Sequence, residues 1–431
     1  MYYLIGIKGA GMSALAIILK QLGYDVMGSD LDKHFFTEKG LIDNDIPFYA
    51  YDENNIKEGY KIIKGLSIKD DNPEVKMAKK LGLEIVNYNE MVGELTRKFK
   101  TITVAGCHGK TTTTAMITHV LNPLLGVNYL IGDGTGGAKK DNEFFVLEAC
   151  EYCRHFLLYK PYYAVITNID LDHVDYFKDI DDVISAYREY ADMASKLVIA
   201  CGDDVNVRKM KTKKKIVYFG INEGNDVRAV NIKYTEKGII FDVVTYDKFY
   251  GHFDLPLFGL HQLLDALACI SVCYFENIDS KKLQEVFKSF EGAKRRFTET
   301  IINDSVIIDD YAHHPSEVEA VINACNQKYH DKKKIIIFQP HTFSRTKEFA
   351  EDLIKEFKKV DEVFLLDIHP AREKQEDFPG ITSDIIISKL PNGHLLNKDN
   401  VKCLSNYKNS VFMFMSPNDV SYYEEELKKM Q

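Results

Sequence analysis

Short apolar runs alternate with longer amphipathic segments along most of the chain. The run at 2–7 precedes a glycine-rich loop, an apolar helical segment at 13–24 and a second strand-like run at 25–30. This alternation is typical of α/β folds whose sheet is mostly parallel. Because it continues to about residue 98, the pattern predicts a small N-terminal α/β domain.

A second α/β region opens with a β-branched strand at Thr101–Ala105, which leads directly into Gly106-Cys107-His108-Gly109-Lys110-Thr111. Two glycines let backbone N–H groups curl around a phosphate chain, and the next helix directs its positive end at the same anion. In such a loop Lys110 reaches the β- and γ-phosphates, and the Thr111 hydroxyl holds Mg²⁺.

The spacing of this loop departs from G-x-x-x-x-G-K-[ST], because Val104 stands where the first glycine would be. The alternative is an accidental strand, turn and helix with an N-terminal lysine. A run of four threonines is a poor first turn for an ordinary helix, which favours the phosphate interpretation.

Acidic residues follow two later apolar strands. The strand Glu143–Ala149 carries Glu148 near its end, where a phosphate-binding fold places an acid directed at Mg²⁺. An acidic strand end that faces water is the alternative. The strand Tyr163–Ile169 runs into a group that indicates either a second cation site or an exposed acidic loop, namely Asp170, Asp172, His173 and Asp175.

Residues 185–250 contain hairpin-like segments that predict a peripheral antiparallel patch. His261 and Asp265 follow in a polar segment that opens an apolar helix, a position suited to a nucleotide base. At the join near 293, the guanidinium groups of Arg295 and Arg296 could clamp phosphates or form a solvated turn.

Two histidine-bearing loops follow strands of the last region. The first contains His313 and His314, and Ser316-x-x-Glu319 predicts a capping box at the helix behind it. The second contains His341 and Arg345. Loops that leave the same ends of parallel strands share one edge of a sheet, so these side chains predict a substrate pocket.

The length and net charge of the chain limit the number of domains and the kinds of partner that it can have. A chain of 431 residues is long enough for two to four domains, and its formal charge of −9 with no basic stripe argues against nucleic-acid binding. No apolar run approaches the ~20 residues that span a bilayer, and no signal peptide is recognisable. These features predict a cytoplasmic enzyme that does not associate with a membrane.

Two local motifs admit other functions. Cys150-x-x-Cys153 could be a redox or zinc half-site, but no second pair stands at metal-like spacing, which favours reduced structural thiols. Gly6-x-x-Gly9-x-Gly11, followed by Ser29-Asp30 at the end of the second strand, resembles a dinucleotide fold. Its glycine order differs from the nicotinamide fingerprint, so a dehydrogenase remains only an alternative.

Taken together, several motifs resemble those of the Mur ligases of bacterial cell-wall synthesis. They occur in the family's order and at roughly its spacing, and they are GCHGKTTT, EACEY, ITNIDLDHVDYF, GAKRRF, DDYAHHPSE and QPHTFSRT. The resemblance implies an α/β protein of three domains: an N-terminal Rossmann-like domain (1–98) for the UDP substrate, a central P-loop ATPase with a mostly parallel sheet (99–292), and a C-terminal Rossmann-like domain (293–431) for the amino acid.

The resemblance also implies an activity, the joining of L-alanine to UDP-N-acetylmuramate with cleavage of ATP and with Mg²⁺ as cofactor. The protein would be a monomer or a weak homodimer. The implied ATP-binding residues are Gly106, Cys107, His108, Gly109, Lys110, Thr111, Thr112, His261 and Asp265. The implied Mg²⁺ ligands are Thr111, Glu148 and His173. No carbamylated lysine is predicted.

Other roles follow from the same resemblance. Residues implied to contact the UDP substrate are Gly9, Gly11, Ser29 and Asp30, with Gly132–Gly137 adding backbone N–H groups. Residues implied to line the amino-acid pocket are Tyr311, His313, His341 and Arg345. Residues implied in catalysis are Lys110, His173, Arg295, Arg296, His313, His341 and Arg345.

Two segments depart from the family pattern. His261-Gln262-x-x-Asp265 replaces H-N-x-x-N, and Ser416-Pro417-Asn418-Asp419-Val420 replaces G-A-G-D-I. The alternatives left open are a murein-peptide ligase and a non-catalytic relative that binds UDP-muramyl ligands.

Overall fold

Three β-sheets organise the chain in this computed structural model, which describes residues 1–430. The fold divides into two units. The first contains Met1–Ala229, Val243–Gly251 and Leu264–Phe287, and the second contains Val230–Asp242, His252–Leu263 and Lys288–Gln431.

The first sheet is five-stranded and parallel, in the order β3-β2-β1-β4-β5. Its strands are β1 (Tyr2–Ile5), β2 (Val26–Asp30), β3 (Phe48–Ala50), β4 (Lys61–Lys64) and β5 (Ile85–Asn87). Its helices are α1 (Ala10–Gln21), α2 (Glu38–Asp43), α3 (Pro73–Lys80) and α4 (Tyr88–Thr96). Alternate β1 residues pack into separate clusters, Leu4 in one and Tyr3 with Ile5 in the other, so both faces of the sheet are covered.

The central sheet has ten strands in the order β15-β14-β13-β12-β11-β10-β6-β9-β7-β8. Its strands are β6 (Lys100–Ala105), β7 (Val127–Leu130), β8 (Gly136–Gly137), β9 (Phe144–Glu148), β10 (Tyr163–Ile166), β11 (Leu197–Cys201), β12 (Ile216–Gly220), β13 (Val227–Thr235), β14 (Gly238–Thr245) and β15 (Lys248–Leu255). The associated helices are α5 (Lys110–Leu125), α6 (Ile180–Asp192), α7 (Val205–Lys209), α8 (Leu260–Phe275) and α9 (Ser280–Phe287).

Parallel pairing dominates the middle of this sheet. β6 is flanked by β9 and β10, both parallel to it, whereas β7 and β8 pair antiparallel. Ile102, Val104 and Ala105 of β6 are fully buried, as the apolar run predicted. A mostly parallel central sheet within a three-domain α/β architecture is therefore confirmed.

The third sheet has the order β16-β17-β21-β18-β19-β20. Its strands are β16 (Thr298–Ile302), β17 (Ser305–Asp310), β18 (Lys333–Phe338), β19 (Glu362–Leu365), β20 (Gly393–Leu395) and β21 (Ser410–Met415). Its helices are α10 (Pro315–Lys328), α11 (Phe343–Phe357), α12 (Asp384–Ile387) and α13 (Ser421–Met430). Short 3₁₀ segments cover Glu53–Asn55, Tyr152–Leu158, Gln375–Asp377 and Val401–Asn406.

The predicted capping box at Ser316 and Glu319 is wrong. Helix α10 begins at Pro315 with His314 as its N-cap, and the carboxylate that accepts from the cap backbone belongs to Glu317. Proline suits the first helical position because it lacks an N–H that would need a partner.

Substitution of Gly28 in β2 tests how closely the strands of the first sheet are packed. A Cβ there would lie 2.3 Å from the Leu4 carbonyl oxygen and 2.8 Å from Ile7 Cδ1. We expect Gly28→Ala to destabilise the protein by roughly 1–3 kcal/mol, because a backbone oxygen cannot move aside without disturbing the strand pair. The midpoint of thermal unfolding measures this effect.

Gly65→Ala is the matched control, since its added Cβ would lie an ordinary 3.4 Å from the Ile5 carbonyl oxygen. Equal unfolding midpoints for the two variants would contradict the packing argument.

Candidate functional site

The loop between β6 and α5 needs glycine at both of its turning points. Gly106 has φ +148° and Gly109 has φ +80°, values that residues with a side chain rarely adopt. A Cβ on Gly106 would lie 1.9 Å from Thr167 Oγ1, and one on Gly109 would lie 2.7 Å from Asp265 Oδ1. The backbone therefore approaches both neighbours more closely than any side chain would allow.

Two residues after β10 support this loop. His108 N donates to Asn168 Oδ1 at 2.9 Å, and Asn168 Nδ2 donates to the His108 carbonyl oxygen at 2.8 Å. Thr167 Oγ1 donates to the same oxygen at 2.6 Å. These supporting residues were not predicted from the sequence. The signal for them was two polar residues at the end of an apolar strand.

Lys110, the first residue of α5, is turned back into the loop. Its Nζ donates to the Gly106 carbonyl oxygen at 2.5 Å and lies 3.1 Å from Glu151 Oε2. Burial of the ammonium group lowers its pKa, but the charge of Glu151 outweighs that effect, so the pKa of Lys110 is raised. Burial conversely raises the pKa of Glu151, whereas Lys110 and His173 lower it, with a net decrease.

Glu151 also contacts His173, whose Nε2 lies 3.4 Å from Glu151 Oε1. With Asp172 they form a group whose potential metal-binding atoms all lie within 4.8 Å of one another. Two carboxylates and an imidazole are suitable ligands for a divalent cation. Glu148, the acid that the sequence assigned, is not in this group, and its Oε1 accepts from Gly132 N at 2.6 Å.

Helices α5 and α8 are joined by a hydrogen bond to Asp265. Its Oδ1 accepts from Thr113 Oγ1 at 2.8 Å, and its side chain lies beside Gly109. The acid at this position therefore supports the phosphate loop through α5. His261 lies in the first turn of the same helix α8, and burial lowers the pKa of its imidazole to about 4.

At the first sheet, the predicted substrate residues lie at the carboxyl ends of β1 and β2. Asp30 Oδ2 accepts from Lys8 N at 2.7 Å, which joins the two loops. Ser29 is fully buried and its hydroxyl donates to Glu74. Gly11 leaves room for Tyr88, because a Cβ there would lie 2.7 Å from the Tyr88 hydroxyl.

The third sheet brings together three of the predicted pocket residues. The ring centroids of Tyr311 and His313 are 5.8 Å apart, and those of His313 and His341 are 6.0 Å apart. His369, which was not predicted from the sequence, stacks on His341 with ring centroids 5.7 Å apart. Burial, together with nearby imidazole and guanidinium groups, lowers the pKa of His341 to about 4.

The start of α11 is held by a distant acid. Glu373 Oε2 accepts from the backbone N–H groups of Phe343 at 2.6 Å and Ser344 at 3.0 Å. Thr342, the N-cap, has φ +63°, which is strained for a β-branched residue. Arg345 lies in the first turn of this helix, so the strained cap sits between His341 and the predicted carboxylate-binding arginine.

Family models match the chain in three consecutive segments. The Mur ligase family catalytic domain matches residues 1–100, the Mur ligase middle domain matches 104–273, and the glutamate ligase domain of Mur ligases matches 295–410. This chain belongs to the Mur ligase family.

Mur ligases are also its relatives over nearly the full length. The chain is 46% identical to the UDP-N-acetylmuramate–L-alanine ligase of Lactiplantibacillus plantarum, covering 98% of this chain and 97% of that protein. It is 44% identical to the enzyme of the same name from Lacticaseibacillus casei, with the same coverage. The UDP-N-acetylmuramate-alanine ligase structure from Thermotoga maritima has a TM-score of 0.82 at 25% identity, covering 99% of this chain and 98% of that one.

The arginines that this Mur ligase carries before β16 are bound within their own unit. Arg295 Nη2 donates to the carbonyl oxygens of Ser416 at 2.8 Å and Asn418 at 3.0 Å. Arg296 Nη1 lies 3.6 Å from Glu317 Oε1. The segment that departs from the family's G-A-G-D-I pattern therefore supplies carbonyl acceptors to Arg295.

The low pKa of His341 can be measured by NMR. A free imidazole has a pKa near 6.5, so between about pH 4 and 6.5 the unfolded chain binds a proton at this residue that the folded chain does not. We expect the His341 resonances to remain those of the neutral ring down to about pH 5. The site therefore destabilises the fold as the pH falls through this window.

The His341→Asn variant identifies the His341 resonances, because they are missing from its spectrum. Its free energy of unfolding should fall less than that of the wild type between pH 6.5 and pH 5. A titration midpoint near 6.5 for His341 in the folded protein would contradict the burial argument.

Proposed function

We infer that this Mur ligase joins the amino group of L-alanine to the carboxylate of UDP-N-acetylmuramate, with ATP cleaved to ADP and phosphate, in peptidoglycan precursor synthesis. The observation that carries this conclusion is the 46% identity, over 98% of the chain, to a relative whose name states this reaction. The contacts among Lys110, Glu151 and His173 agree with it, because they provide a phosphate-binding loop next to a site for a divalent cation.

Three functional domains are proposed. Residues 1–98 bind the UDP substrate, residues 99–292 bind ATP, and residues 293–431 bind the amino acid. Each proposed segment contains one of the three sheets, which supports this division. The finer proposals are a cytoplasmic location and a monomer or weak homodimer.

The proposed nucleotide site is built on the loop Gly106–Gly109 and the start of α5. Its backbone N–H groups and the dipole of α5 would face the phosphates. The Lys110 ammonium, now paired with Glu151, carries the positive charge suited to the γ-phosphate. Thr111 and Thr112 lie in the same first turn, and His261 with Asp265 is proposed near the base.

Mg²⁺ fits the residues that are present. Glu151 is 1% exposed and Asp172 is also buried, so two buried carboxylates face His173, whose side chain is partly exposed. We propose that Glu151, Asp172 and His173 hold the cation, with Thr111 as a further ligand and Glu148 as the competing assignment. When bound, Mg²⁺ offsets the negative charge of the phosphate oxygens.

The chemistry follows from the reactants. A carboxylate is a poor acyl donor, so its oxygen first attacks the γ-phosphorus and displaces ADP, which yields an acyl phosphate. The L-alanine amine then attacks the acyl carbon, and phosphate leaves from the tetrahedral intermediate. Lys110 and the loop N–H groups stabilise the charge that accumulates at phosphorus. Arg295 and Arg296 are proposed to contribute positive charge to the same reaction.

The amino-acid pocket is proposed around Tyr311, His313, His341 and Arg345. Arg345 supplies a guanidinium group that can pair with the L-alanine carboxylate through two hydrogen bonds. Because the pKa of His341 is lowered to about 4, its ring is neutral at pH 7 and can accept a hydrogen bond from the attacking amine.

Amino-acid specificity distinguishes this ligase from other members of the family. With ATP, Mg²⁺ and UDP-N-acetylmuramate, we expect phosphate release to be fastest with L-alanine among single L-amino acids. Tripeptides should be poor substrates. Preference for a tripeptide would instead identify a murein-peptide ligase, and no phosphate release with any acceptor would favour a non-catalytic UDP-muramyl-binding protein.

A pair of matched variants shows whether Glu151 or Glu148 is the carboxylate that binds the metal ion. We expect Glu151→Gln to lower kcat by at least about a hundredfold, since several kcal/mol of charge stabilisation would be lost, and to weaken Mn²⁺ binding measured by electron paramagnetic resonance. Glu148→Gln makes the same chemical change at the end of β9 and should leave Mn²⁺ binding close to that of the wild type. The reverse order would return the metal site to Glu148.

A further inference from the structure

An exposed aromatic ring lies beside the turn that contains Gly134 in the first unit. Phe36 lies between β2 and α2 and is 74% exposed. A Cβ placed on Gly134 would lie 3.5 Å from Phe36 Cε2 and 3.5 Å from Ala10 Cβ, so the ring edge lies beside Gly134, which also adjoins the start of α1. Ala10 directly follows the glycines after β1, and Gly134 belongs to the turn that joins β7 to β8.

The loop that carries Phe36 is anchored on its N-terminal side by Lys8, a lysine that is only 7% exposed. Lys8 Nζ donates to the carbonyl oxygens of Leu31 at 3.1 Å and Lys33 at 2.9 Å, and it lies 2.8 Å from Glu38 Oε1. The hydrogen bond from Lys8 lowers the pKa of Glu38, which keeps that carboxylate ionised.

The C-terminal side of Phe36 is anchored as well. The hydroxyl of Thr37, which is 6% exposed, donates to the Lys8 carbonyl oxygen. On the N-terminal side, Phe35 N donates to Glu38 Oε1 at 3.2 Å, and the Lys8 ammonium lies 5.6 Å from the Phe35 ring centroid. Phe36 is thus presented to solvent by a backbone whose neighbours on both sides are fixed.

Burial of a phenylalanine side chain stabilises a fold by roughly 1.5–3 kcal/mol, and an exposed ring on an anchored loop does not contribute this free energy. The same arrangement suits a ligand contact, because an aromatic side chain with two rotatable angles loses little entropy when it binds. In folds of this kind the phosphates lie at the glycine loop after the first strand and the sugar at the end of the second. The base, attached to the far side of the sugar, then lies over the loop that follows β2.

We propose that Phe36 is a binding residue for the nucleotide half of the substrate and that its ring stacks on the uracil base. This inference rests on the proposed UDP site in residues 1–98. It assigns base recognition to an aromatic face beside the Asp30 end of β2, in addition to the backbone contacts of the glycine loop. Stacking of a base on an aromatic ring contributes about 1–3 kcal/mol.

Calorimetric titration of the full chain with UDP tests the proposal. We expect Phe36→Ala to raise the Kd for UDP by about tenfold, which corresponds to about 1.4 kcal/mol. Phe36→Tyr should retain wild-type affinity, and Phe36→Leu should bind weakly because it keeps apolar bulk without a ring. The KM for UDP-N-acetylmuramate should rise in parallel, with kcat and the KM for ATP unchanged.

Phe249→Ala is the matched control, because Phe249 is 68% exposed and lies on β15, at the opposite edge of the central sheet from β8. It should bind UDP as the wild type does. A UDP analogue with a saturated 5,6-dihydrouracil ring, which is no longer flat, should bind the wild type more weakly than UDP does. Phe36→Ala should show no such preference.

The outcomes separate the two levels of inference. If the wild type does not bind UDP, the proposed UDP site itself is wrong, and the stacking role falls with it. If the wild type and Phe36→Ala bind UDP equally, only the role of Phe36 is overturned. A loss of affinity for UDP-N-acetylmuramate without a loss for UDP would also overturn it, because the ring would then contact the muramyl sugar.

Discussion

The burial of the Glu151 carboxylate constrains the whole phosphate-binding region. A carboxylate that is 1% exposed needs compensating charge and hydrogen bonds, and here it lies beside the ammonium of Lys110 and the imidazole of His173. Lys110 in turn donates to the Gly106 carbonyl oxygen, so the charge pair also fixes the glycine turn. One acid thereby couples the phosphate loop to the strand end that carries the predicted cation ligands.

Parallel strands explain why residues so far apart in sequence lie on common edges. β6 is paired in parallel with both β9 and β10, so the loops that follow these strands leave the sheet on the same side. The phosphate loop, Glu151 and Asn168 come from these three loops. In the third sheet β21 lies between β17 and β18, all three are parallel, and the histidine loops follow β17 and β18. A parallel sheet therefore gathers the chemistry at the carboxyl ends of its strands.

The backbone has an unusual conformation at the proposed cation site and at the start of α11. His173 has φ +52° and Thr342 has φ +63°, and neither is a glycine. Such conformations cost free energy and persist where neighbouring contacts outweigh that cost. Glu373 supplies such contacts at α11 by accepting from two of its first N–H groups, while the backbone N–H of His173 donates to the Asp172 side chain. At both places an acidic side chain thus holds the backbone in its unusual conformation.

The amino-acid sequence by itself determined the α/β class, the phosphate loop and the histidine-bearing loops, because each is encoded by neighbours in the chain. It did not determine strand order, such as the insertion of β21 between β17 and β18, since pairing between distant strands leaves no local pattern. It pointed to Glu148 and not to Glu151, because an acid at the end of β9 and one shortly after it look alike without their surroundings. Only the tertiary structure decided that the second is buried against a lysine and a histidine, because the pairing and desolvation of a charge depend on atoms brought from elsewhere in the chain.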